Sequence, residues 1–449
     1  MKKLIFLIVF LGFSLFLFSQ QSEIIPLSVN HNKLEFKGFT PTAFSAKVQM
    51  KELKATNKVI ENREFASIDL EGFASTGTVG QAGVPTLSRM IEVPHGAEVQ
   101  VLIHGYTQEV VNLSEYGINK IAPVQPSYSK STPIEEQYFV IDENYYNTDL
   151  YDTEDIVKVE IYGTMRGVRI AGLTIRPYHY NPVENTLIVY NDLDFEIKFL
   201  NADLALTEQM KNRYYSPEFA GAYSELINFS APAAKDQLTN FSAPLKYVIV
   251  ANQAFQTTLQ PFVQWKTKQG FNVIEHYVAS GTTNTTIKNY LQGLYDAGTA
   301  SDPAPIYCLI IGDHSGTYSI PAFATKVSGE SHITDLYFAC FDGTSDYLPD
   351  MYYGRISAES TTELQNALDK ILPYQQYSLS DFDYLDNAVL VAGVDSYWAN
   401  KCEMQLFYMQ QTIILIHLMA LLIFMPIITT QLNILMLLLP LIVQALQII

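Results

Sequence analysis

Carboxylates spaced four residues apart in one loop are the first feature that could do chemistry. The loop Phe341–Asp350 reads FDGTSDYLPD and carries Asp342, Asp346 and Asp350 around Gly343. Several carboxylates on one loop suit a hard cation such as Ca²⁺, which takes about six to eight oxygen ligands. A merely solvated Asp-rich turn gives the same pattern, so both interpretations stay open at this point.

A thiol and an imidazole also occur close together in this region. Cys340 follows Ala339, and His332 lies shortly upstream. A cysteine nucleophile needs a histidine beside its thiolate, so this pair has the residue types of a catalytic dyad. Cys308, inside an apolar run, is interpreted as a small core residue.

A third candidate is Asp313-His314, which directly follows the apolar run Ile306–Gly312. In parallel sheets, functional residues lie beyond the carboxyl ends of strands. His314 beside Asp313 suits a structural or metal-shell role. The chain has no G-x-G-x-x-G and no G-x-x-x-x-G-K-[ST] segment, so neither a dinucleotide nor a nucleotide phosphate is indicated.

Strands alternate with helices after residue 245, which predicts a parallel, doubly wound α/β sheet. The predicted elements are strand Leu245–Ala251, helix Leu259–Lys268 ended by Gly270, strand Phe271–Val278, helix Thr285–Ala297, strand Ile306–Gly312, helix Thr361–Tyr374 ended by Pro373, and strand Asn387–Val394.

Residues from about 25 to 215 have the period-two pattern of an antiparallel all-β sandwich or barrel. The runs that show it are Glu98–His104, Val157–Tyr162, Val168–Ile175, Thr186–Tyr190 and Leu193–Leu200. No metal-spaced His or Cys cluster lies here, and we interpret the isolated His95, His104 and His179 as structural. This half is predicted to be a binding or covering module.

Composition and the amino-terminal sequence restrict the classes of protein to which this chain can belong. The net charge of −18 and the absence of a basic stripe argue against nucleic-acid binding. Three cysteines are too few for a disulfide framework. Lys2-Lys3, the apolar run Leu4–Phe18 and a polar exit predict a signal peptide over residues 1–21, and hence a secreted or cell-surface protein.

The stretch Leu204–Ala234 has no strong period and contains Ser, Ala and Pro, which suits an exposed linker. Its basic segment Lys211–Arg213 is a predicted site of maturation cleavage.

Several segments occur in a particular order along the chain: Gly83-Val84-Pro85, Val93–Gly96, Trp265-Lys266, Leu309–His314, Thr334-Asp335, the aspartate loop and Tyr353–Ser357. The order of the last five resembles the first part of the gingipain-like cysteine peptidase domain, peptidase family C25, over about Leu245–Trp398. The region before it, which contains the first two, is similar to the β-rich propeptide of that family.

The resemblance implies a caspase-like endopeptidase made as a zymogen, with an intramolecular prodomain and protein or peptide substrates. It implies Asp313, Asp346 and Asp350 as ligands of structural Ca²⁺, and Asp342 is added because it is chemically plausible. In the family, the catalytic histidine lies in a Gly-His-Gly segment and the cysteine in a later Ala-Cys segment. Neither can be placed in this chain, so no catalytic residue is assigned. Cys340 and His332 are interpreted as decoys, because the resemblance places their neighbours in the early, non-catalytic part of the family domain. They are also too close in sequence to come from two successive strand ends, where the family carries its dyad.

The carboxyl-terminal tail differs in composition from the rest of the chain. Glu403 is the last charged residue, and Met404–Ile449 is almost wholly apolar. One interpretation is a membrane hairpin, although Ile413–Phe424 and Leu432–Val443 are short for spanning. We favour a frameshift near Ala399–Cys402, because Ile and Met codons read one base back encode the Tyr, Asn, His and Asp that are abundant upstream.

These observations predict five segments: a signal peptide (1–21), a β-rich propeptide-like domain (22–215), a linker (216–244), the amino-terminal part of an α/β peptidase domain (245–400) and an apolar tail (401–449). The favoured function is a secreted cysteine endopeptidase precursor, here an inactive fragment that lacks the catalytic dyad. The alternatives are a non-catalytic secreted or membrane-tethered binding or inhibitory module, and an active hydrolase that uses His332 and Cys340.

Overall fold

A computed structural model describes residues 22–128, 136–232, 244–327, 330–381 and 383. Residues up to Leu372 belong to one compact unit, and residues 373–381 and 383 to a second. The predicted signal peptide, the strand Asn387–Val394 and the apolar tail lie outside the described residues. Within those residues, none of the helices has the length and apolar character needed to cross a bilayer.

The amino-terminal part, residues 22–232, is mostly β, as the period-two pattern predicts. Its strands form three antiparallel sheets with the orders β1-β4-β5, β6-β7-β10-β9 and β11-β12-β3-β2, and β8 also pairs with β12. The strands are β1 (Ser22–Pro26), β2 (Lys33–Thr40), β3 (Ala43–Gln49), β4 (Glu52–Ile60), β5 (Arg63–Asp69), β6 (Ala74–Thr76), β7 (Val84–Glu92), β8 (Glu98–Asn112), β9 (Val157–Met165), β10 (Val168–Ile175), β11 (Tyr178–Asn181) and β12 (Thr186–Leu200).

Strand β12 shows why this part folds as it does. From Ile188 to Phe199, half-buried residues alternate with buried ones, which is the pattern of a strand with one face on the core. The runs Thr186–Tyr190 and Leu193–Leu200, predicted separately, are one strand with a register shift between Asn191 and Phe195. Buried side chains of all three sheets form one core, including Phe44, Leu53, Leu87, Leu173 and Phe195.

Short helices occur within the β part and after it. Helix α1 (Glu143–Tyr146) and a 3₁₀ turn at Leu113–Tyr116 lie between β8 and β9, whereas α2 (Leu204–Tyr214), a 3₁₀ turn at Pro217–Phe219 and α3 (Ala220–Tyr223) follow β12. Helix α2 begins after Asp203, whose carboxylate accepts the N–H of Leu206 at 2.8 Å.

The exposed-linker interpretation is wrong for residues 204–223. They are largely helical, and the side chain of Lys211 is only 7% exposed and lies 2.5 Å from Glu92. The predicted cleavage segment Lys211–Arg213 therefore lies in a packed helix. A protease binds its substrate in an extended conformation, which this segment does not have. Residues 233–243 of the predicted linker lie outside the described residues.

The second part, from residue 244, is the predicted parallel α/β fold. Strands β13 (Lys246–Asn252), β14 (Asn272–Val278), β15 (Tyr307–Ile311) and β18 (Tyr352–Ile356) form a parallel sheet in the order β14-β13-β15-β18. Strand β18 and the hairpin of β16 (Phe323–Val327) and β17 (Glu330–Thr334) were not predicted. A mostly β part followed by a parallel-sheet α/β part confirms the predicted fold class.

Helices cover both faces of this sheet. Helix α5 (Asn284–Asp296) packs against Val248 and Val250 on one face, whereas α4 (Gln256–Lys268) and α6 (Thr361–Gln376) enclose Ile249 and Ala251 on the other. The predicted stop of α6 at Pro373 is wrong, because the helix continues to Gln376. Single 3₁₀ turns lie at Gln253–Phe255 and Leu336–Phe338.

Candidate functional site

The aspartate loop brings its three carboxylates together just before β18. One oxygen each from Asp342, Asp346 and Asp350 lies within 4.8 Å of the others. The loop closes on Asp346, whose carboxylate accepts the N–H of Asp342 at 3.0 Å and the N–H of Leu348 at 2.9 Å. Gly343 supports this turn at a φ of 118°, a left-handed value that side chains rarely adopt.

Asp350 is the most enclosed member of this aspartate cluster. It is 0% exposed. Its Oδ1 accepts the main-chain N–H of Arg166 at 2.6 Å and the hydroxyl of Tyr295 at 3.1 Å, and its Oδ2 accepts the N–H of Phe341 at 3.2 Å. Burial, and then the charge of Asp342, raise the pKa of Asp350 to about 8.

Asp342 differs from Asp350 in its surroundings. The residue as a whole is exposed, but its carboxyl oxygen faces the other two carboxylates. Desolvation of this group, and then the charge of Asp346, raise the pKa of Asp342 to about 6. Three carboxylates this close repel one another, and a divalent cation relieves that repulsion. The all-oxygen donor set is the one that Ca²⁺ prefers.

The structure does not bring Asp313 to the other three aspartates. Asp313 follows β15 at the carboxyl end of the sheet, whereas Asp350 precedes β18 at the amino end, where the N–H of Tyr352 donates to Ile306 O at 2.8 Å. Five strand residues at about 3.3 Å each separate these ends by roughly 15 Å. The candidate cation site is therefore at the end of the sheet opposite to the one where parallel-sheet enzymes place their chemistry.

Asp313 and His314 form a local pair. The N–H and the Nδ1 of His314 both lie near Asp313 Oδ1, at 2.5 and 2.7 Å. These hydrogen bonds lower the pKa of Asp313. His314 is exposed, so the pair lies at the mouth of the carboxyl end of the sheet rather than in its core.

The two described cysteines are both enclosed. Cys340 is 0% exposed and its Sγ donates to Leu336 O at 3.4 Å, while Cys308 is a buried residue of β15. Burial raises the pKa of each thiol to about 12. A thiol with such a pKa is almost wholly protonated at neutral pH and is a poor nucleophile. His332 is an exposed residue of the β16–β17 hairpin, paired with Thr325.

Sequence analysis missed Arg355 as an organising residue at the carboxyl end of the sheet. Its guanidinium donates to both carboxylate oxygens of Asp335, at 2.8 and 2.7 Å. It also donates to Gly312 O at 2.7 Å and to Ile320 O at 2.9 Å. Arg355 thus ties the segment that carries Asp313 to the loop after β17.

Sequence analysis also missed Arg166, which lies at the β9–β10 turn and is 0% exposed. Its Nε donates to Tyr214 O at 2.9 Å, and its Nη1 donates to Pro305 O at 2.9 Å and to Asp350 O at 2.6 Å. The guanidinium lies over the rings of Phe219 and Tyr295, at 5.1 and 5.7 Å. This side chain joins the β part to the α/β part beside the aspartate cluster.

Comparison with known proteins gives the same two parts in the same order. The family model described as Propeptide_C25 matches residues 42–230, and the model of peptidase family C25 matches residues 241–421. The second match runs past residue 400, where sequence analysis ended the peptidase domain. Together the two matches account for most of the chain.

Individual relatives carry the gingipain name. Lys-gingipain from Porphyromonas gingivalis is 36% identical over 410 residues, which are 90% of this chain and 23% of that protein. Gingipain R1 of the same organism is 24% identical over 326 residues, 70% of this chain and 30% of the relative. A solved structure concerning the zymogenic latency of its gingipain K is 36% identical, covers 40% of this chain and all of that one, and has a TM-score of 0.39.

A match to a propeptide family followed by a match to a peptidase family is the order of a cysteine peptidase precursor. The chain belongs to peptidase family C25 and is a precursor of the gingipain type. It spans about a quarter of the length of the Lys-gingipain relatives that it matches.

Proposed function

We propose that the complete protein is an exported endopeptidase that cleaves proteins or peptides through a cysteine nucleophile. The observation that carries this proposal is the match to propeptide and peptidase models in precursor order. Export rests on the signal-like pattern of Lys2-Lys3 and Leu4–Phe18.

No residue of this chain is assigned to the catalytic dyad in this proposal. The sequence contains no Gly-His-Gly segment. Ala339-Cys340 is the one Ala-Cys pair in the sequence, and its thiol is buried, with a pKa raised to about 12. Catalysis needs a thiolate that substrate can reach, and Cys340 meets neither condition.

The aspartate cluster is proposed as a structural Ca²⁺ site of the peptidase part. Asp342, Asp346 and Asp350 would hold the ion, and its chemistry would be charge neutralisation rather than activation of a nucleophile. The support for this role is the mutual distance within 4.8 Å, the all-oxygen donor set and the position at the amino end of the sheet.

The amino-terminal part is proposed to act as an intramolecular prodomain. The buried contacts of Arg166 with Pro305 and Asp350 favour this role, because they desolvate a charged side chain between the two parts. The same contacts favour the second candidate, a non-catalytic inhibitory module, since a propeptide that binds its own peptidase part can also bind a related one.

Peptide hydrolysis with thiol mapping tests the proposal. The purified chain is incubated with protein and peptide substrates, and labelled with iodoacetamide in parallel. The expected result is no turnover above buffer and no label on Cys308 or Cys340 until the chain is unfolded. Turnover that disappears in Cys340→Ala, but not in the matched Cys308→Ala variant, would show instead that this chain is an active hydrolase.

A further inference from the structure

Arg166 occupies a backbone position that is unusual for its residue type. It has a φ of 45° and Gly167 a φ of 78°, in the two-residue turn that joins paired Met165 and Val168. Asn-Gly or Asp-Gly normally fill such turns, because a longer side chain meets a steric penalty at positive φ. An arginine here indicates that its side chain has a role that offsets this cost.

The main-chain N–H of Arg166 fixes the orientation of Asp350. Oδ1 of Asp350 accepts two hydrogen bonds, from Arg166 and from Tyr295, which use both of its lone pairs. Oδ2 accepts a single one, from Phe341 at 3.2 Å. The lone pairs of Oδ1 are thus both used, one of them by the β9–β10 turn, whereas Oδ2 keeps a lone pair that can bind a cation.

The guanidinium of Arg166 does not compete for the ligand atoms. Its described hydrogen bonds go to the carbonyl oxygens of Tyr214, Pro305 and Asp350, not to carboxylates. Among the described atoms, its Nη2 is buried and has no hydrogen-bond partner, so the charge is not neutralised by a direct ion pair. The guanidinium therefore acts on the site indirectly: its bonds to Pro305 O and Asp350 O hold the turn in place, and with it the main-chain N–H that orients Asp350.

We propose that Arg166 is a positioning residue for a divalent cation at Asp342, Asp346 and Asp350, so that cation binding and docking of the β9–β10 turn strengthen each other. The inference rests on the cation site of the proposed function. Linkage makes the effect reciprocal: if the docked turn raises the affinity for the cation, the cation stabilises the docked turn by the same factor.

Calorimetric titration of the full chain with CaCl₂ tests the coupling. Arg166→Gln keeps the main-chain N–H and removes the guanidinium. Arg169→Gln is the matched control, since Arg169 donates to Pro94 O and Ala97 O within the β part. We expect Arg166→Gln to weaken Ca²⁺ binding about tenfold, Arg169→Gln to change it less than about twofold, and Arg166→Lys to restore part of the loss.

The outcomes separate the coupling from the site. Affinity that is equal or tighter in Arg166→Gln overturns the coupling and leaves the cation site intact. If the wild-type chain shows no Ca²⁺ binding isotherm, or one that Asp350→Asn leaves unchanged, the cation site is overturned, and the coupling with it.

Hydrogen exchange on the wild-type chain covers the case in which Arg166→Gln fails to fold. Amides of residues 163–168 are compared with and without CaCl₂, using residues 98–103 of β8 as the internal control. Slower exchange at the turn on adding CaCl₂ supports the coupling, and unchanged or faster exchange there overturns it.

Discussion

Replacing Arg166 by Met should destabilise the chain by about 3–5 kcal/mol. Met keeps an unbranched stem but has no donors, so the carbonyl oxygens of Tyr214, Pro305 and Asp350 lose the hydrogen bonds at 2.9, 2.9 and 2.6 Å. Each buried acceptor left without its donor costs about 1–3 kcal/mol. Three such acceptors sum to about 3–9 kcal/mol. Relief from burying a guanidinium that has no direct ion pair offsets part of this sum, so a net loss of about 3–5 kcal/mol is expected.

Urea unfolding of the wild type, Arg166→Met and Arg169→Met measures the difference in free energy of unfolding. Arg169 is half-buried and donates to two carbonyl oxygens, at 3.2 and 2.8 Å, so its loss should cost about 1–2 kcal/mol. A loss in Arg166→Met that is no larger than in Arg169→Met would show that Arg166 does not hold the two parts together.

Three further predictions concern other groups. Burial raises the pKa of Glu92 despite its contact with Lys211, so the folded state binds more protons than the unfolded one above pH 4.5, and stability should fall as the pH rises from there. The dependence of the urea midpoint on pH between pH 5 and 8 should flatten in Glu92→Gln but not in Glu225→Gln, a control at an exposed glutamate. In a Cys402→Ser background, native Cys308 and Cys340 should react with iodoacetamide at least about a hundredfold more slowly than a free thiol, and comparable rates would contradict their burial. Arg355→Lys should lose about 1–3 kcal/mol in urea unfolding, because an ammonium cannot reproduce the bidentate contact with its carboxylate partner, and an unchanged midpoint would contradict that role.

Periodicity was sufficient to predict some of the strands, although β1–β7, β11 and β16–β18 were not among the runs that it singled out. Continuous apolar runs predicted β13 and β15, and alternation predicted β10 and much of β12. Helix α2 was missed because, of its eleven residues, only Lys211 and Tyr214 are buried, so it has no apolar stripe. The β16–β17 hairpin lacks the repeated alternation that marks a buried strand, and several of its residues, including Ala324, His332 and Ile333, are exposed.

The candidate site was only partly predictable, for a physical reason. Asp342, Asp346 and Asp350 share one loop, so their spacing alone predicted that they lie close together. Asp313 was grouped with them by resemblance, and the parallel topology places it at the other end of the sheet.

Arg166 was missed because its contact with Asp350 spans 184 positions, and local patterns carry no information on such pairs. The one available signal was an arginine before Gly167, between two strand-like runs, where a small polar residue is typical.

If the β part is a propeptide held on the first peptidase segment by non-covalent contacts, the two parts should stay together when the chain between them is cut. A recognition sequence for a site-specific protease, inserted between residues 232 and 244, allows that cut. Gel filtration of the cut chain should show both fragments in one peak at micromolar concentration, and Arg166→Met should shift part of them to separate peaks. Wild-type fragments that separate immediately after cleavage would contradict a propeptide held in this way.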